Sequence, residues 1–156
     1  MSVLAAGSAV PDFNLIKADG EGFGPSDLEG KTTILVFYPF AFSPVCTDQL
    51  NIYEEVLGDI RERGAEIYGV SCDSAYAQTA FIERLGVTIP QLSDFQPKGA
   101  ACEAFGVLHP GGFPERALVV IGPDGVVAWS YQADSPGELP GANLLFDGLD
   151  AVGASA

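Results

Sequence analysis

Residues 31–38, Lys-Thr-Thr-Ile-Leu-Val-Phe-Tyr, form a β-branched and aromatic run without alternation, which predicts a central strand covered on both faces. Beyond it, Leu50, Tyr53, Val56, Leu57 and Ile60 recur at three- and four-residue intervals, the apolar stripe of an amphipathic helix that Gly64 brings to an end. Residues 66–71 read as a second short apolar strand. Residues 74–85 read as a helix, with Asp73 or Ser74 available as the N-cap and Gly86 as the terminator. This alternation of strand and helix implies parallel pairing with a right-handed crossover.

The pattern then changes. Residues 117–121 and 126–131 are strand-like and joined by Gly122-Pro123-Asp124-Gly125, a strong turn signal for an antiparallel hairpin. A short helix over 142–152 follows. Upstream, residues 11–16 and the Ala18-Asp19-Gly20 turn predict a smaller N-terminal hairpin, followed by one helical turn at 26–28. A βαβ unit followed by a ββα unit is the thioredoxin order. The chain is therefore expected to be an α/β protein with a central mixed sheet flanked by helices, an N-terminal hairpin extension, and an extra helical insertion between Ala75 and Phe105.

Length and composition fit one domain over 1–156: 156 residues with 47% apolar content can bury one good core, and no repeat or linker divides them. Seven Lys and Arg against 21 Asp and Glu give a net charge of -14, which repels phosphate backbones and anionic lipid. Nucleic acid and membrane partners are not expected. No basic region precedes the small apolar residues at the N-terminus, and no window reaches the roughly 18 uninterrupted apolar residues of a membrane span. A cytoplasmic protein is the expectation.

Three cysteines, at 46, 72 and 102, are an odd and widely spaced set, unlike a secreted disulfide framework. No Cys-x-x-Cys pair exists, and His109, the single histidine, lies in a Pro-Gly-Gly context, so no metal site is expected. Thiol chemistry at one position is left. Cys46 falls in the first turn of the helix after the central strand, where unpaired backbone N–H groups and the positive end of the helix dipole favour an anion. A free cysteine has a pKa of about 8.5, which such surroundings lower, and the thiolate is the nucleophile. Pro39 would close the strand and cover the sulfur, and Ser43 could hydrogen-bond a bound oxygen.

These residues resemble the peroxiredoxins. The family's Pro-x-x-x-(Thr/Ser)-x-x-Cys motif is matched by Pro39, Ser43 and Cys46, and its later arginine by Arg116. The likeness runs along nearly the whole chain, including Gly-Val-Ser-Cys-Asp-Ser at 69–74 and Ala-Phe-Gly-Val at 104–107. Phe-Tyr-Pro-Phe-Ala-Phe-Ser and the tail from Trp129 through Glu138 resemble the one-cysteine, alkyl hydroperoxide reductase E type. Gln49 stands where many relatives carry glutamate, a departure in the residue behind the site. If strand 117–121 runs antiparallel beside strand 31–38, its beginning meets that strand's end, and the guanidinium reaches Cys46.

The resemblance implies a thiol-specific peroxidase. Cys46 attacks a peroxide, becomes a sulfenic acid, and is reduced by an external thiol, with no cofactor. The donor would be a glutaredoxin-like protein such as a mycoredoxin, a low-molecular-weight thiol or thioredoxin, and the protein would form a homodimer. Asn51 replaces the resolving cysteine that some relatives carry five residues after the first. Cys72 and Cys102 are expected in the core, with a resolving role for either as the alternative. Two other readings are a redox sensor or holdase acting through Cys46, and an inactive thioredoxin-fold interaction module. A cysteine hydrolase with His109 as base is disfavoured by the glycine-rich loop. Phe40 and Phe42 flank an exposed turn and are candidates for a substrate vestibule or a dimer face.

Overall fold

A computed structural model describes residues 2–155. Its seven-stranded mixed sheet has the order β2-β1-β5-β4-β3-β6-β7, made of β1 (Leu15–Lys17), β2 (Gly22–Phe23), β3 (Thr32–Phe37), β4 (Ala65–Ser71), β5 (Gln91–Ser93), β6 (Ala117–Ile121) and β7 (Val127–Gln132). β3, β4 and β5 run parallel, whereas β6 and β7 continue the sheet antiparallel on one side and β1 and β2 on the other.

The unbroken apolar run becomes β3, buried on both faces, with successive residues contributing to opposite core layers. Ile34 and Val36 pack with Leu118, Val120 and the apolar sides of α1 (Pro44–Glu55), α2 (Leu57–Glu62), α3 (Ala75–Leu85) and α5 (Ala142–Ser155). Leu35 and Phe37 pack on the other side with Phe13, Leu15, Phe23, Val119 and Phe105, together with α4 (Ala100–Ala104). Cys46 belongs to the first layer, Cys72 and Cys102 to the second.

The stripe predicted as one helix is two. Val56 leaves helical geometry at φ −107° and ψ 7°, separating α1 from α2, while Leu50, Tyr53, Leu57 and Ile60 still share the buried side. Ser74, not Asp73, caps α3, accepting from the Ala77 amide at 3.2 Å, and Gly86 closes it in the left-handed region at φ 71°. The insertion expected to be helical holds β5 as well as α4. The N-terminal hairpin begins its first strand at Leu15, later than predicted, because residues 11–14 make no ladder. β7 starts one residue later than expected, beside an irregularity at Val120 and Ile121. Among the described residues, no helix is long and apolar enough to cross a membrane.

Candidate active site

The site forms where β3 ends and α1 begins. After Tyr38, a turn over residues 39–43 leads into α1 with Ser43 as N-cap and Pro44 as the first helical residue, so Cys46 stands at the third helical position. A helix of 12 residues has its first amides and its positive end at this point. The turn is tight. Phe42 adopts φ 70°, a conformation that costs a side-chain-bearing residue about 1–2 kcal/mol, and its ring packs on Phe81 with centroids 5.2 Å apart. The Asp73 carboxylate, released from capping α3, accepts from the Ala41 amide at 2.8 Å and ties the turn to the end of β4.

Arg116 reaches the same rim from the opposite direction in the chain. β6 pairs antiparallel with β3, and Phe37 stands across from Ala117, so the residue before Ala117 lies where β3 hands over to the turn. Its buried guanidinium donates from Nη2 to Cys46 Sγ at 3.3 Å, from Nη1 to Gln49 Oε1 at 2.5 Å and from Nε to the Pro136 carbonyl at 2.8 Å. Among the described residues, no carboxylate lies within ion-pair distance of Arg116. A buried cation without a carboxylate depends on the polar groups that face it. Here these are the Cys46 sulfur, the Gln49 amide oxygen and the Pro136 carbonyl.

Gln49 lies one turn after the thiol, and its amide serves two neighbours. Oε1 accepts from Arg116, and Nε2 donates to Tyr53 Oη at 3.2 Å; Tyr53 then donates to the Pro140 carbonyl at 2.7 Å. Burial pushes the Tyr53 hydroxyl up to about 12, despite the Gln49 hydrogen bond, so it remains a proton donor at neutral pH.

The structure brings Cys46, Arg116 and Gln49 together. Ser43 is near but engaged elsewhere: its hydroxyl donates to the Phe40 carbonyl at 3.0 Å. Pro39 is buried and borders a cavity that Cys72 also lines. Phe40 and Phe42 are about half exposed on the turn. His109 is committed to its own loop, its Nδ1 accepting from the Gly111 amide at 2.9 Å and its ring stacking on Phe113. Sequence reasoning missed Tyr53, Asp73 and the Pro136 and Pro140 carbonyls. Tyr53 carried a signal: it follows Gln49 by four residues on one helix face, where polar tips can meet. The two carbonyls lie in a loop with no periodicity to place it.

Cys72, Cys102 and Asp94 place their donor atoms within 4.8 Å of one another, the one such group among the described residues. Both Asp94 oxygens already accept amides, from Ala101 at 3.0 Å and Cys102 at 2.8 Å, which leaves two sulfurs uncommitted to the backbone and falls short of a four-ligand zinc set.

Known proteins show the same architecture. Residues 6–130 match the AhpC/TSA family. The chain is 32% identical over 137 residues to a putative peroxiredoxin of Porphyra purpurea, covering 81% of this chain and 68% of that one. It is 28% identical over 154 residues to the alkyl hydroperoxide reductase E of Mycobacterium tuberculosis, covering 97% and 100%. The crystal structure of Enterococcus faecalis AhpC superposes with a TM-score of 0.86 at 29% identity, covering 99% of this chain and 94% of the other.

Proposed function

The chain belongs to the AhpC/TSA family, and on that premise we propose that it is a thiol-dependent peroxidase with Cys46 as the peroxidatic nucleophile and an outside thiol as reductant. The observation that carries this reading is the 3.3 Å contact between Arg116 Nη2 and Cys46 Sγ, made by a buried guanidinium with no carboxylate partner among the described residues. A cation held there favours the thiolate, as does the N-terminal turn of α1.

In the proposed reaction the Cys46 thiolate attacks the terminal oxygen of a hydroperoxide. The O–O bond breaks, and water or an alcohol leaves after taking a proton. The sulfur, now a sulfenic acid, is attacked by an external thiol with loss of water, and a second thiol releases Cys46 from the mixed disulfide. Arg116 stabilises both the thiolate and the charge growing on the leaving oxygen. Gln49 and the Pro136 carbonyl position Arg116. Cys46 is fully buried in the closed site, so substrate reaches it when the 39–43 turn opens. In that opening Ser43 exchanges the Phe40 carbonyl for a peroxide oxygen, and Pro39 shields the sulfur from bulk water.

A one-cysteine cycle fits the layering of the core, since Cys72 and Cys102 pack against the face of the sheet opposite Cys46. The donor belongs to the glutaredoxin-like, low-molecular-weight or thioredoxin classes, and a second copy docks over the exposed Phe40 and Phe42. Steady-state peroxide consumption with each class of donor tests the reading. Repeated turnover is expected; one stoichiometric oxidation of Cys46 would instead indicate a redox sensor.

A further inference from the structure

Two thiols remain outside this cycle, and they face each other. Cys72 follows the last residue of β4, and Cys102 lies on α4. One residue fixes both. The Asp94 amide donates to the carbonyl of Ser71, next to Cys72, at 2.8 Å, while its carboxylate holds the Ala101 and Cys102 amides at the start of α4. Gly99, the N-cap of α4, offers no side chain, so Asp94 does the capping from outside the helix and sets the rotation that turns Cys102 toward Cys72.

The pair is asymmetric. Cys72 lines a cavity of about 260 Å³ bordered by Pro39, Phe40, Asp73 and Lys98, whereas Cys102 is fully buried. The hydrogen bond from the Cys102 thiol holds Cys72 below the ordinary thiol range, against the opposing effect of burial, and Lys98 adds to the lowering. Cys102 is held far above that range, first by donating to Cys72 and then by burial, with Asp94 adding to the penalty on a second negative charge. One sulfur is thus the reachable nucleophile, and its neighbour keeps a proton.

We propose that Cys72 and Cys102 form a second thiol site, in which a hydroperoxide entering the cavity beside Pro39 is reduced and the two sulfurs close into an intramolecular disulfide without Cys46. The Cys72 thiolate attacks one peroxide oxygen, the O–O bond breaks, and the departing alkoxide or hydroxide takes a proton from water. Cys72 becomes a sulfenic acid. The Cys102 sulfur then attacks Cys72, its proton leaves with the hydroxyl as water, and the S–S bond forms. Two thiols lose two electrons to one peroxide. No other oxidant is required.

The test uses the full chain carrying Cys46→Ser, which removes the proposed peroxidatic sulfur and keeps this result separate from the peroxidase reading. Reduced C46S is treated with a few equivalents of hydrogen peroxide, alkylated, and analysed by intact mass and peptide mapping. The expected result is loss of both free thiols, a mass decrease of two hydrogens, a linked Cys72–Cys102 peptide pair, and reversal by a phosphine reductant. In C46S/C102S the mass decrease is expected to vanish and Cys72 to gain oxygen instead. Wild-type protein mapped in parallel is expected to carry the same link. Survival of both thiols in C46S, oxygenation of Cys72 without linkage while Cys102 is present, or a link that needs Cys46 would each overturn the proposal. Peroxidase turnover of the wild type is scored separately, so its failure leaves this outcome readable.

Discussion

Arg116 Nη1 donates to Gln49 Oε1 at 2.5 Å, so the buried cation beside Cys46 is held by a neutral amide where many peroxiredoxins carry a carboxylate. The consequence is electrostatic. A glutamate at 49 would pair with the guanidinium and share its charge with the sulfur; the amide orients Arg116 and leaves the charge to Cys46.

Removing the cation tests this first. Arg116→Met keeps most of the side-chain volume and is expected to lower the second-order rate of Cys46 oxidation by about 10²–10³, the loss typical of one transition-state donor. Arg116→Lys restores charge but not the three-directional fork, and should recover part of that loss. Stopped-flow oxidation by hydrogen peroxide measures both. An unchanged rate in R116M would show that Arg116 is structural.

Gln49 separates orientation from charge. Gln49→Leu leaves Arg116 Nη1 without its acceptor and removes the donor to Tyr53 Oη, which keeps only its bond to the Pro140 carbonyl, and should cost about 1–3 kcal/mol of stability, read by chemical denaturation, with a slower oxidation step. Gln49→Glu keeps an acceptor for Arg116, so its stability should exceed that of Q49L. Its oxidation rate at pH 7 is nevertheless expected to fall below wild type, because the new carboxylate competes with the thiolate for the cation. A faster Q49E would reverse the assignment.

Tyr53 gives a pH dependence with a definite sign. Its hydroxyl, ordinarily near 10, is pushed up to about 12 in the folded chain, with burial as the main cause. A group whose folded pKa is raised contributes stability that is present below the unfolded value and is lost as pH rises through the folded one. The wild type should therefore lose about 2 kcal/mol more than Tyr53→Phe between pH 10 and 12. Denaturation midpoints across that window measure the difference. Parallel curves would mean that the hydroxyl is not held neutral by the fold.

The elements that could be read from the sequence are those whose pattern is decided locally. β3 declared itself by five consecutive fully buried side chains, and α3 by a capping serine and a left-handed glycine at its two ends. Arg116 was placed by an antiparallel register that follows from the hairpin it begins, and Cys46 by its distance from the end of β3. What escaped depends on distant partners. β5 is three residues long, and two of them, Gln91 and Ser93, are polar yet buried, because Tyr38 donates to Gln91 at 2.6 Å and Ser93 donates to the Asp73 carbonyl at 2.6 Å. No period marks such a strand. The facing of Cys72 and Cys102 depends likewise on Asp94, whose contacts to Ser71 and to α4 only the folded chain displays.

The central claim is that Cys46 is the sulfur that reduces peroxide, and Cys46→Ser tests it most directly. The measurement is consumption of hydrogen peroxide under steady state with a supplied thiol donor, for wild type and C46S side by side. Sustained rapid turnover by the wild type and its loss in C46S, where only the peroxide consumed through the Cys72–Cys102 pair is left, is the predicted result; retained rapid turnover by C46S would contradict the account.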